Sequence, residues 1–127
     1  VAYQLAVVVD DAELDVTHVV RGADLLDNTP RQILLQRALG FPLPRYAHLP
    51  LAVDAAGAKL SKSAQSLPVD PSRGSAVLWQ ALDFLRQSPP GPLAAAPLAE
   101  VWDWALGHWD LSRLRGHTRG TAPANPG

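Results

Sequence analysis

The stretch from Asp27 to Pro44 constrains the fold more than any other part of the chain, because capping residues, proline and glycine fence a helix on both sides. Asp27-Asn28-Thr29 offers N-cap side chains, and Pro30 suits the first helical position, where its missing N–H costs nothing. Ile33, Leu34, Ala38 and Leu39 recur at helical spacing, Gly40 is a natural stop, and Pro42 and Pro44 lie beyond it. Residues 23–40 therefore read as helical.

Strand-like segments flank this helix. The β-branched content of 16–20 predicts a buried strand that stops at Gly22. Residues 2–9 are ambiguous: three consecutive valines favour a strand, whereas the length with Ala12 and Leu14 suits a buried helix. Residues 49–53 form a short strand-like run with Lys59-Leu60 as antiparallel partner, across a type I turn with Asp54 first and Gly57 last. Residues 61–73 lack a period and are rich in Ser and Pro, which predicts a mobile loop. Val77, Leu78, Leu82 and Leu85 place a helix over 75–87, broken by Ser88-Pro89-Pro90-Gly91-Pro92. Val101, Trp102, Ala105 and Leu106 place another over 98–107, and a disordered tail is expected over 116–127. The expected class is α/β: a sheet fragment over 1–66, a small helical segment over 67–115, then the tail.

Composition narrows the function classes. With 127 residues the chain fits one domain, or one plus part of another. Eleven Lys+Arg against twelve Asp+Glu give a net charge of −1, so no strong field draws nucleic acid or an anionic membrane. Leu5-Ala6-Val7-Val8-Val9 is far too short to span a bilayer, so no membrane partner is expected. The absence of Cys excludes disulfides, thiolate metal sites and Cys nucleophiles, and is compatible with the cytoplasm, the expected location. The chain starts at Val1, inside what reads as a folded element, so a fragment lacking its N-terminal part is expected.

Nine of the eleven basic residues are Arg; the only lysines, Lys59 and Lys62, share the pentapeptide Lys59-Leu60-Ser61-Lys62-Ser63. Two exposed lysines in a loop can simply solvate the surface. Alternatively, ammonium groups on a hinged Ser-bearing loop suit a polyphosphate, following pyrophosphate as charge builds in the transition state. No P-loop pattern is present. Arg21 ends the predicted strand, where the ligand crevice of an open α/β sheet lies, and a guanidinium there can clasp a carboxylate. The competing reading is a surface salt bridge to Asp24 or Asp10. The Tyr3 hydroxyl either contacts a substrate or is satisfied within the core. Asp10-Asp11 reads as solvated, the four histidines show no ligand spacing, and Trp102, Trp104 and Trp109 read as helix packing rather than a base-stacking platform.

Together these segments resemble the second half of the class I glutamyl-tRNA synthetase catalytic domain, which is Rossmann-like. The resemblance rests on Ala2-Tyr3-Gln4-Leu5-Ala6-Val7-Val8-Val9-Asp10-Asp11, Val16 through Leu26, Asn28-Thr29-Pro30-Arg31-Gln32 and His48-Leu49-Pro50-Leu51. The fifth segment, Lys59 to Ser63, is similar to the KMSKS signature with Leu60 replacing Met. Within the family the wording is closest to a shortened branch without an anticodon-binding domain. The resemblance implies a helix over 2–12, glutamate contacts from Tyr3 and Arg21, and an ATP contact and catalytic role for Lys62. It implies ATP with Mg²⁺ as co-substrate, and an upstream portion carrying further ATP contacts and, in many members, zinc. The implied activity is formation of glutamyl-adenylate and transfer of glutamate to the queuosine base in the anticodon loop of tRNA(Asp), by a monomer. The alternatives are an ordinary synthetase fragment charging the tRNA(Glu) 3′ end and a non-catalytic derived binding module. The fragment alone is expected to be inactive.

Overall fold

The computed structural model describes residues 2–60 and 69–123. The chain divides into two compact units, Val1–Leu49 and Pro50–Gly127.

In the first unit, helix α1 (Ala2–Glu13) precedes strand β1 (His18–Gly22), a 3-10 turn (Ala23–Asn28), helix α2 (Thr29–Leu39) and strand β2 (Arg45–Leu49). Residues 2–9 are thus helical despite their valines: burial of Val8, which is 1% exposed, outweighs the strand preference of the β-branched side chains. Strands β1 and β2 pair in parallel, Arg21 opposite His48 and Gly22 opposite Leu49, with α2 in the connection between them. Gly40 closes α2 with φ +70°. Its N–H reaches the Arg37 carbonyl and the N–H of Phe41 reaches that of Gln36, a Schellman pair that satisfies two terminal carbonyls.

The buried face of α2 departs from the apolar stripe of the sequence. Thr29, Gln32 and Gln36 are buried, whereas Leu34 and Leu39 are exposed. The N-cap also works differently: Asn28 caps nothing with its side chain and instead accepts a 2.9 Å hydrogen bond from Gln4 Nε2.

The second unit contains strand β3 (Leu51–Val53), helix α3 (Gly74–Phe84), helix α4 (Leu98–His108) and strand β4 (Arg119–Thr121). The expected strand over 49–53 is split at Pro50, which has no N–H to offer a ladder: Leu49 ends β2, and Leu51 opens a second sheet. Asp54 makes the predicted turn, accepting from the Gly57 N–H, and Val53 bridges Lys59 antiparallel. Leu82, Val101 and Ala105 form the core between α3 and α4, with Leu78 and Trp104 against it.

Two expectations are corrected here. The loop reading of 61–73 fails at Pro71–Arg73, a 3-10 turn capped by Asp70, whose Oδ1 accepts from the Ser72 N–H and hydroxyl. The same arrangement recurs at Leu111–Leu114 under Asp110 and Ser112. In both places the serine bonds hold the aspartate below its ordinary value. The tail reading of 116–127 fails at β4, which pairs in parallel with β3. Its middle residue must be small, because a Cβ on Gly120 would stand 3.0 Å from Phe84 Cε2. Trp104 stacks on His108 at 4.7 Å and packs as expected, but Trp102 and Trp109 are exposed.

Candidate functional site

The parallel register sets Arg21 beside His48 on one face of the β1–β2 sheet, the face that Val19 and Tyr46 share two residues earlier. The Arg21 guanidinium carbon lies 5.2 Å from the centre of the Tyr46 ring, which stacks with the His48 ring. Residues Thr29 and Gln32 of α2 meet this face with hydrogen-bonding groups where a packed helix ordinarily brings aliphatic ones.

Arg21 Nη1 donates to Gln32 Oε1 at 2.9 Å, and Nη2 donates to Thr29 Oγ1 at 2.7 Å and to the Leu25 carbonyl at 3.5 Å. Nε donates to His48 Nε2 at 3.4 Å. None of these four acceptors carries a negative charge, and together they engage four of the five N–H groups that a guanidinium offers. An arginine can only donate, so its position dictates the orientation of everything downstream. Gln32 must present its oxygen to Arg21, which leaves Nε2 to donate to Gln4 Oε1 at 2.7 Å. Gln4 Nε2 then donates to Asn28 Oδ1.

Arg21 Nε approaches His48 Nε2 at 3.4 Å, and the Thr29 hydroxyl lies 2.9 Å from the same nitrogen. The Thr29 hydroxyl is also placed to donate to the Leu25 carbonyl at 3.4 Å, so the direction of the Thr29–His48 bond follows the imidazole tautomer. Burial, and secondarily the charge of Arg21, push the His48 pKa below its ordinary 6.5. Both act against protonation of the ring.

Tyr3 stands one residue before Gln4 on α1 and is 61% exposed, so the reading of a satisfied core tyrosine does not hold. Arg21 and the α1 segment bearing Tyr3 are joined through Gln32 and Gln4. Lys59 is exposed and Leu60 half-buried, both in the second unit; Ser61, Lys62 and Ser63 lie outside the described residues. A cavity lined by Val8, Asp15, Gln36 and Phe41 in the first unit has neither Arg21 nor Tyr3 in its wall. Among the described residues, no three His, Asp or Glu side chains come together as metal ligands, and no helix is long and apolar enough to cross a membrane.

The sequence reading singled out Arg21 but not the roles of Gln4, Thr29, Gln32 and His48. A signal was present: Thr29, Gln32 and Gln36 recur at i, i+3 and i+7, a polar stripe on the side of α2 that faces the sheet.

Residues 2–82 match the family model of tRNA synthetases class I (E and Q), catalytic domain. The chain is 55% identical over 113 residues to a glutamyl-Q tRNA(Asp) synthetase of Methylococcus capsulatus, covering 89% of this chain and 37% of that protein. It is 56% identical over 124 residues to the protein of the same name from Thiobacillus denitrificans, covering 97% and 41%. The chain thus spans about two-fifths of the length of these curated relatives. The crystal structure of glutamate-tRNA synthetase from Elizabethkingia anophelis superposes with a TM-score of 0.63 at 24% identity, over 96% of this chain and 28% of that one, which is a likeness of fold. With residues 2–82 matching its catalytic-domain model, the chain belongs to the class I (E and Q) tRNA synthetase family.

Proposed function

We propose that the chain serves ATP-dependent activation of L-glutamate and transfer of the glutamyl group to the queuosine base of tRNA(Asp). The observation that carries this reading is Arg21: a fixed guanidinium whose described hydrogen-bond acceptors are all neutral, at the C-terminal end of a parallel strand, in a chain of the class I (E and Q) family. Such a group is suited to a carboxylate ligand. The names of the relatives support the queuosine-directed branch.

In this reading an oxygen of the glutamate α-carboxylate attacks the α-phosphorus of ATP, and the bond to the β-phosphate oxygen breaks, releasing pyrophosphate. The protein positions the reactants and offsets charge rather than forming a covalent intermediate. Arg21 holds the side-chain carboxylate of glutamate. Tyr3, exposed on α1 and adjacent in sequence to Gln4, orients the amino acid. Lys62 stabilises the departing pyrophosphate, with Lys59 and Ser61 shaping the same pentapeptide. Mg²⁺ accompanies ATP and supplies further charge neutralisation at the phosphates.

The test is ATP–pyrophosphate exchange driven by L-glutamate with no tRNA present, followed by glutamylation of tRNA(Asp) with and without queuosine. Exchange without tRNA and transfer only to the queuosine-bearing tRNA are expected. A strict requirement for tRNA(Glu) would instead assign the chain to ordinary 3′-end charging. Glutamate binding with neither exchange nor transfer would make it a derived binding module.

A further inference from the structure

We infer that Gln32 and His48 are specificity-determining positioning residues: they and Thr29 hold the Arg21 guanidinium through uncharged acceptors, so that its charge stays available to discriminate a substrate carboxylate from the matching carboxamide. The inference rests on the proposed role of Arg21 in glutamate binding and extends it to residues that need not touch the substrate.

An arginine that must be rigid is commonly fixed by a carboxylate, which supplies strong, directional acceptors. That solution has a cost in a binding site, because the fixing carboxylate competes for the charge that the ligand needs. Here Gln32, 2% exposed, provides a carbonyl oxygen at 2.9 Å where a glutamate of the same length would provide a carboxylate. Thr29, 8% exposed, provides a hydroxyl at 2.7 Å. His48 contributes a ring nitrogen 3.4 Å from Arg21 Nε, from the adjacent strand.

The acceptors therefore fix geometry without supplying a counter-charge. Gln32 is itself anchored to Gln4, which is held by Asn28, so it cannot turn its nitrogen toward Arg21 without also breaking its bond to Gln4. A carboxylate ligand then gains the Coulombic term as well as a hydrogen bond from the remaining N–H, whereas a carboxamide gains the hydrogen bond alone.

The experiment compares L-glutamate with L-glutamine in pyrophosphate exchange by the intact protein and its Gln32→Glu and Gln32→Met variants. Gln32→Glu keeps an acceptor for Arg21 but adds a charge; Gln32→Met removes the acceptor and adds none. The inference predicts that Gln32→Glu raises the glutamate KM by about tenfold or more, spares glutamine, and affects kcat little. Gln32→Met should weaken both amino acids while keeping their ratio. His48→Glu delivers the same charge from the strand side and should collapse the ratio too, so the outcome does not hang on one variant folding. An unchanged preference in folded Gln32→Glu or His48→Glu, or equal losses in Gln32→Glu and Gln32→Met, overturns the inference and leaves glutamate activation intact. No response of the unmutated protein to glutamate overturns both.

Discussion

Arg21 and His48 are opposite one another in the parallel β1–β2 ladder, and the arginine Nε donates to the imidazole Nε2 at 3.4 Å. A permanent cation thus sits against a base whose protonation it disfavours. The ionisable groups placed against His48 are Arg21 and, in the stacked ring, Tyr46.

Stability should consequently depend on pH near neutrality. The folded protein holds the His48 pKa below 6.5, so the unfolded chain binds more protons there in the interval beneath that value. The contribution of the neutral ring is fully present above about pH 6.5 and is lost as pH falls through the depressed folded value. Melting temperatures at pH 7.5 and 5.5 should differ less in His48→Gln than in the unmutated protein. An identical pH slope in the two would remove His48 from this role.

Arg21→Ala should chiefly raise the KM for glutamate. Loss of one partner of a buried charge-assisted pair costs about 2–5 kcal/mol. Because the same change strands the Gln32, Thr29 and His48 acceptors, the unfolding midpoint should fall as well, and it should be read alongside the exchange assay. A glutamate KM equal to that of the unmutated protein would return Arg21 to a purely structural part.

Lys62→Ala should slow adenylate formation by roughly 10²–10³-fold, the usual loss for one transition-state donor. The rate of pyrophosphate exchange at saturating glutamate measures it. A rate indistinguishable from the unmutated protein would dissociate the pentapeptide from catalysis.

In the second unit, Gln87 imitates a strand. Its side-chain amide accepts the Asp110 N–H at 2.8 Å and donates to the Asp110 carbonyl at 3.2 Å, while its own carbonyl receives Arg113 Nη1. Gln87 is 2% exposed, so Gln87→Leu would leave an N–H and a carbonyl of Asp110 without these partners. Asp110 is itself exposed, so water replaces part of what is lost, and each such hydrogen bond is worth about 0.5–1.5 kcal/mol net. Urea denaturation should therefore show a loss of about 1–3 kcal/mol, and a loss below about 0.5 kcal/mol would contradict the pairing.

Much of this was legible in the residues because its causes are local. Pro30 and Gly40 delimit α2, Gly22 ends β1, Asp54 and Gly57 make their turn, and α3 and α4 follow the leucine and valine spacing. What escaped depends on partners distant in sequence. The valines of α1 carry no sign of their own that the segment is helical, and the helix over 2–12 is expected from the family resemblance alone. The polar face of α2 becomes intelligible only when β1 and β2 bring Arg21, Tyr46 and His48 beneath it. Arg119–Thr121 has no strand composition and owes its pairing to β3 and to the gap that Gly120 leaves for Phe84. At the candidate site the cation was evident, whereas the acceptors that aim it were spread over three elements.

The ladder between β3 and β4 joins opposite ends of the second unit's described sequence. Closing so large a loop requires most of the intervening chain to be organised first, since its entropy is lost before three short rungs return anything. The 119–121 segment should accordingly be among the last parts of that unit to consolidate during folding, and the first to open in native-state hydrogen exchange.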